Sequence, residues 1–133
     1  MTATIFIYGN SSVGKTKVIN DIYYDLKNCG ATVKMKRERR GAEKDDFAAI
    51  LIFNGKTIAF LSMGDIRSQV RGDFELFKDC DIFIVAYNEW HKTIYANCIK
   101  YSEIIHKVEK IEPTDSDNKR VRNEVKKLLK KYI

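Results

Sequence analysis

The sequence predicts an α/β fold: a three-layer sandwich around a mostly parallel sheet, with one strand reversed in an antiparallel hairpin. Short β-branched and aromatic runs alternate with segments whose apolar residues recur at helical spacing. An Asn54-Gly55 pair stands between two apolar runs, the signature of a tight hairpin whose central residues need positive φ. At 133 residues the chain has room for a single domain, residues 1–133, and one sheet.

Thr4 to Tyr8 is β-branched and aromatic throughout and reads as a buried strand. Gly and Ser interrupt it from Gly9 to Gly14. From Lys15 the period changes: Val18, Ile22 and Leu26 recur every four residues with Ile19 beside them, forming one apolar helix face that Gly30 closes. Ala31 to Met35 reads as a second strand running into the basic stretch Lys34 to Arg40, where Lys34 and Lys36 share one face. Gly41 to Asp46 is a polar loop. Ala48 to Phe53 and Thr57 to Leu61 form the hairpin. After Ser62-Met63-Gly64-Asp65, the residues Val70, Phe74 and Phe77 fit a helix, and Ile82 to Ala86 is another buried strand. Tyr95, Cys98, Ile99 and Ser102 lie on one side of a further helix. Lys107 to Ile111 is a last strand, although Ile105, Val108 and Ile111 also fit a helical period. Beyond Pro113, Val121, Val125, Leu128, Leu129 and Tyr132 make an amphipathic C-terminal helix. Ligands of such sheets bind beyond the carboxyl ends of the strands, so the loops after Tyr8, Leu61 and Ala86 should share one rim.

Composition excludes several classes. A single Pro and seven Gly rule out collagen-like and linker-like chains. No stretch approaches the roughly 18 apolar residues of a membrane span, and no secretory leader pattern opens the chain. A cytoplasmic location is the expectation. Cys29, Cys80 and Cys98 are too widely spaced for a metal knuckle and odd in number for a disulfide framework, so buried free thiols are expected. The net charge of +6 suggests anionic partners without choosing among them.

The most informative segment is Gly9-Asn10-Ser11-Ser12-Val13-Gly14-Lys15-Thr16, which fits G-x-x-x-x-G-K-[ST] at every fixed position. It stands where that motif must stand, between a buried strand and an amphipathic helix. Each residue type has a physical reason. Gly9 leaves the strand where a Cβ has no room. The loop amides and the helix N-terminus form a nest of donors for phosphate. Gly14 permits close backbone approach, Lys15 can reach β- and γ-phosphates, and the Thr16 hydroxyl can ligate Mg²⁺.

On these residues the chain resembles the P-loop NTPase superfamily, specifically over Thr4 to Leu26 and generally over the rest. The resemblance implies a P-loop NTPase-like fold with a nucleoside triphosphate and Mg²⁺ held at Gly9 to Thr16. It does not imply one reaction, because this fold serves kinases, GTPases, motors and switches. The superfamily also implies an acidic residue near the end of an apolar strand. Asp65, a few residues beyond Leu61, is the nearest match. It is expected to bind Mg²⁺ through water, orient an attacking group or touch a substrate, and it competes with a simpler role as the N-cap of the next helix. Asp81 adjoins Ile82 at the opposite strand end and is expected to be structural. The hairpin before Ser62 resembles Ras-like GTPases, but Ser62 stands where their D-x-x-G motif has Asp, and no Asn-Lys-x-Asp occurs. ATP is therefore preferred over GTP.

Other candidates flank the same rim. Arg67, with Arg71, could neutralise charge on a transferring phosphoryl group, against the plain alternative of surface arginines. Lys15, Asp65 and Arg67 form the expected catalytic set. The loop Arg37 to Asp46, with Arg39, Arg40 and Lys44, is the one segment long enough for a lid. Tyr87 to Thr93 carries Asn88, Glu89, the single Trp90 and His91, suited to base stacking, hydrogen bonding or proton acceptance near a small-molecule acceptor. His106 is offered no role by its neighbours. Lys119, Arg120, Arg122, Lys126, Lys127, Lys130 and Lys131 give the C-terminal helix a basic surface that could meet nucleic acid, but no interleaved aromatic platform supports this. The expected function is Mg²⁺-dependent binding of ATP or another triphosphate with phosphoryl transfer or hydrolysis, as in a compact nucleotide or small-molecule kinase. The alternative is a non-catalytic nucleotide-binding or switch module acting through a protein or nucleic-acid partner.

Overall fold

The computed structural model describes residues 1–10, 13–39, 45–62, 74–87 and 92–133. Six strands form one mixed sheet: β1 (Ala3–Tyr8), β2 (Thr32–Arg39), β3 (Phe47–Phe53), β4 (Lys56–Leu61), β5 (Ile82–Tyr87) and β6 (Ile104–Glu109), in the order β2-β3-β4-β5-β1-β6. Neighbours from β4 to β6 run parallel, and β2-β3 and β3-β4 are antiparallel. The helices are α1 (Lys15–Asn28), α2 (Lys92–Tyr101) and α3 (Asp115–Leu129), with a further helical turn over 74–77.

Strand periodicity explains the layers. Successive side chains point to opposite faces. Ile5, Ile7, Leu51, Ile58, Phe60, Ile82 and Ile84 face one side, where they pack with Val18, Ile22 and Leu26 of α1 and Val121 and Val125 of α3. Phe6, Ala48, Ile50, Phe83 and Val85 face the other, where Phe74, Phe77 and Cys98 cover them. Helices thus lie on both faces, and the central strands read as continuous apolar runs because both sides are buried. Each fully buried Ile, Leu or Phe contributes about 1.5–3 kcal/mol. Tyr23 sits edge-on to Phe47 and Phe60 at ring distances of 5.4 and 5.5 Å.

The hairpin turns at Asn54 and Gly55, with φ of 50° and 78°, as the sequence requires. Asp81 is structural and remote from Gly9. Its carboxylate accepts from the Thr57 N–H at 2.9 Å and Oγ1 at 3.1 Å, and its carbonyl accepts from the Thr2 and Ala3 amides, which joins the amino ends of β1, β4 and β5. His106 has a partner after all: its Nε2 lies 2.5 Å from the Tyr132 hydroxyl.

Four expectations need correction. The last strand is Ile104–Glu109 rather than Lys107 to Ile111, because its register with β1 starts at Ala3↔Ile104; Ile111 falls beyond it and is exposed. Ile99 is exposed rather than packed, since α2 turns Cys98 into the core. Cys29 is exposed, while Cys80 and Cys98 are buried thiols; burial pushes Cys98 up to about 12 and Cys80 up as well, so both are inert. The basic stretch is not a free lid at its start: Arg37 and Arg39 belong to β2, because the edge strand runs four residues past Met35.

Candidate functional site

The glycine-rich segment Gly9 to Thr16 links the carboxyl end of β1 to α1, with β5 and β6 on either side of β1. Gly9 adopts φ +156° with the Lys110 carbonyl pressed against it: an ideal Cβ there would stand 2.3 Å from that oxygen. Gly14 is the N-cap of α1, in the left-handed region, and offers no side-chain cap; the first turn holds no acidic residue. The contrast with α3 is instructive. There Thr114 Oγ1 accepts the Asp117 N–H, and Asp115 and Asp117 complement the helix dipole. Thr114 thus caps α3 with its side chain, whereas at α1 Gly14 makes no side-chain cap bond and the first turn carries Lys15 and Lys17, an arrangement that suits an anion.

Lys15 folds back over the segment, its Nζ donating to the Gly9 carbonyl at 2.6 Å and the Asn10 carbonyl at 3.2 Å. Thr16 Oγ1 donates to Asp46 Oδ1 at 3.0 Å, and Ser62 Oγ donates to the same oxygen at 3.3 Å. Asp46 is the functional candidate that sequence reasoning passed over, treating it as the end of a polar loop. Its place is built by three elements. Asn20 of α1 donates from Nδ2 to the Asp45 carbonyl at 2.9 Å and is itself held by Arg37 of β2. Arg37 lies over the Phe47 ring, 4.3 Å from its centre. Phe47 and Ser62 close the hairpin's open end, with the Phe47 N–H on Ser62 Oγ at 2.8 Å and the Ser62 N–H on the Phe47 carbonyl at 3.0 Å. The one advance sign was an Asp-Asp pair directly before a buried strand.

Behind the segment lies a buried ion pair. Lys110, whose side chain is 0% exposed, sets Nζ 3.1 Å from Asp117 Oδ2. Burial alone would push the Asp117 carboxyl up. The backbone N–H groups of Glu112 and Ile111, with Arg120 and Lys110, outweigh it and hold the carboxyl well below the usual carboxylate range. The Lys110 ammonium and Asn118 Oδ1 both approach Gly14.

A cleft of about 570 Å³ runs beside α1, lined by Gly14, Thr16, Asn20, Tyr24, Arg37 and Asp45, within the size range of small-molecule sites. Of the expected residues, Gly9, Asn10, Val13, Gly14, Lys15 and Thr16 come together at this rim. Ser11, Ser12, Asp65, Arg67, Arg71 and the stretch Asn88 to His91 lie outside the described residues. Among the described residues no group of three or more His, Cys, Asp or Glu could hold a metal unaided. Thr16 Oγ1 and Asp46 Oδ1 are nonetheless hard oxygen donors of the kind that suits Mg²⁺.

The basic face of α3 is partly committed within the molecule. Arg122 and Lys126 each reach Asp25 Oδ2 at 2.7 Å, and Arg120 holds Asp117 at 2.8 Å. Burial would raise the Asp25 carboxyl, but the bonds from Lys126 and Arg122 lower it on balance. Among the described residues no helix is long and apolar enough to cross a membrane. Comparison of the chain with protein-family models, curated proteins and solved structures gave no match.

Proposed function

We propose that the chain binds a nucleoside triphosphate with Mg²⁺ at Gly9 to Thr16. ATP is the first choice, since the guanine motifs are missing from the sequence. The terminal phosphoryl group then passes to a small acceptor, such as a nucleotide, or to water. The observation that carries this is the start of α1, where the N-cap Gly14 makes no side-chain cap bond and the first turn carries Lys15 and Thr16 and no acidic residue of its own. Backbone donors would bind the phosphates, with Ser11 and Ser12 completing the loop. The Lys15 ammonium, now satisfied by two carbonyls, would exchange them for phosphate oxygens and gain a charge-assisted bond. Thr16 would help hold Mg²⁺, which when bound neutralises charge on the β- and γ-oxygens. Asp65 and Arg67, in the segment that follows β4, are assigned to orienting the attacking group and to the charge of the transferring phosphoryl. The cleft beside α1 offers a place for an acceptor, and the residue types of the Tyr87 to Thr93 stretch suit its recognition.

Thermal unfolding with ATP, GTP and ADP, each with and without Mg²⁺, tests the proposal. At a hundredfold excess over Kd, ATP-Mg²⁺ should stabilise the chain by about 2.7 kcal/mol, a rise of roughly 10 °C for a domain of this size. Lys15→Ala should remove most of that shift, read against its own ligand-free midpoint, which should fall modestly because the Gly9 and Asn10 carbonyls lose a donor. If no triphosphate moves the wild-type midpoint, the proposal is wrong. Binding without ADP formation would leave a nucleotide-binding module and remove the transfer step.

A further inference from the structure

We infer that Asp46, and not an acid beyond the end of β4, supplies the carboxylate that holds the divalent cation opposite Thr16. This deepens the triphosphate reading of the same site and rests on it. The argument begins with the hairpin. Pairing of β3 with β4 sets Ala48 against Leu61, so Phe47 and Ser62 face each other just outside the pair, and Asp46, one residue before Phe47, comes within reach of Ser62 Oγ on the rim. A carboxylate entering from the start of β3 therefore occupies the position that one leaving the end of β4 would take. Ser62 stands at the β4 exit, and its hydroxyl donates to Asp46 Oδ1 instead of competing with it. The Thr16 hydroxyl meets the same oxygen at 3.0 Å. A hydroxyl on a helix first turn and a carboxylate on a separate strand, already in contact, need only part by a cation's width to hold one between them, directly or through water. The position is fixed from behind: Asn20 bonds the Asp45 carbonyl, and Arg37 bonds Asn20 and lies on Phe47. Supports of this kind aim a ligand.

Asp46→Asn separates a cation ligand from a structural acceptor. The amide keeps one oxygen for both hydroxyls, removes the charge and turns the second oxygen into an N–H₂ donor, so the thermal midpoint of the ligand-free variant is measured alongside to separate loss of fold from loss of a cation ligand. ATP affinity is measured for each protein in EDTA and in excess Mg²⁺, together with direct Mn²⁺ binding followed by electron paramagnetic resonance. In wild type the cation should tighten ATP binding about tenfold or more, within the usual range of coupling between two ligands. Asp46→Asn should bind metal-free ATP at least as well as wild type, since a negative charge has left the phosphate site. Its Mg²⁺ enhancement should fall below about threefold, with Mn²⁺ binding in the ATP complex weakened in step. Asp46→Glu should recover part of the enhancement. A full tenfold enhancement in Asp46→Asn overturns the inference and leaves nucleotide binding standing. ATP binding by wild type in neither condition defeats the triphosphate reading itself.

Discussion

Asp117→Asn should lower the stability of the fold by about 3 kcal/mol or more, because breaking a buried ion pair leaves its partner's charge uncompensated. The partner is Lys110, wholly buried, with its ammonium 3.1 Å from Asp117 Oδ2. Asp117 also accepts the Ile111 N–H at 2.8 Å, the Glu112 N–H at 3.0 Å and Arg120 Nε at 2.9 Å. An Asn there keeps one acceptor oxygen, turns an amide N–H₂ towards donors, and supplies no charge to the lysine. Urea unfolding at pH 7 measures the loss. The companion variant Lys110→Met removes the buried charge along with its need for a partner and should cost much less. With Lys110→Met already in place, Asp117→Asn should cost less than in wild type. Acid provides a second check. The folded carboxyl lies below its unfolded value, near 3.9. Its contribution is therefore complete above the unfolded value and is lost as pH falls from there towards the folded one. Wild type should lose stability through that acid range more steeply than Asp117→Asn. Equal urea midpoints for the two proteins at pH 7 would show that the pair does not hold the fold.

Gly9→Ala is expected to be nearly as severe. The added methyl would meet the Lys110 carbonyl oxygen at 2.3 Å and a Val13 methyl at 3.2 Å. The oxygen is main chain and cannot swing aside, since the Lys110 amide is itself held by the Tyr8 carbonyl at 2.8 Å. Separating β1 from the segment after β6 would cost about 2–3 kcal/mol and distort the start of the glycine-rich segment. Gly30→Ala is the control. Gly30 also has positive φ, +103°, but nothing lies within 4 Å of its missing methyl. It should lose only the conformational penalty, about 1 kcal/mol. Thermal midpoints of the two variants side by side separate crowding from backbone strain; similar losses would remove the crowding argument.

Local regularities carried most of the fold into the sequence. The strand at Thr4 to Tyr8, the helix face of Val18, Ile22 and Leu26, and the Asn54-Gly55 turn each depend on residues a few positions apart. The end of β6 and the exposure of Ile99 were less legible, because an apolar residue every third or fourth position does not say which side a neighbour covers. The site divides the same way. Gly9 to Thr16 is contiguous and announces itself. The meeting of Thr16 with Asp46 spans thirty residues and exists only once the hairpin is docked against α1. Lys110 and Arg37 look like any solvated cation along the chain. Only the folded molecule shows one buried against Asp117 and the other laid on Phe47.

The two rims of the sheet have different prospects outside the monomer. Among the described residues β2 and β6 are its edges. β2 carries Lys34, Lys36, Arg37, Glu38 and Arg39, and its pairing with β3 slips twice, between Val33 and Met35 and again before Glu38. Like charges and a broken register make it a poor template for a second chain. β6 is regular in register and opens with Ile104, 43% exposed, three residues after the exposed Tyr101. Self-association by strand addition, under conditions that favour aggregation, would therefore begin at β6, on the side of the sheet away from Asp46.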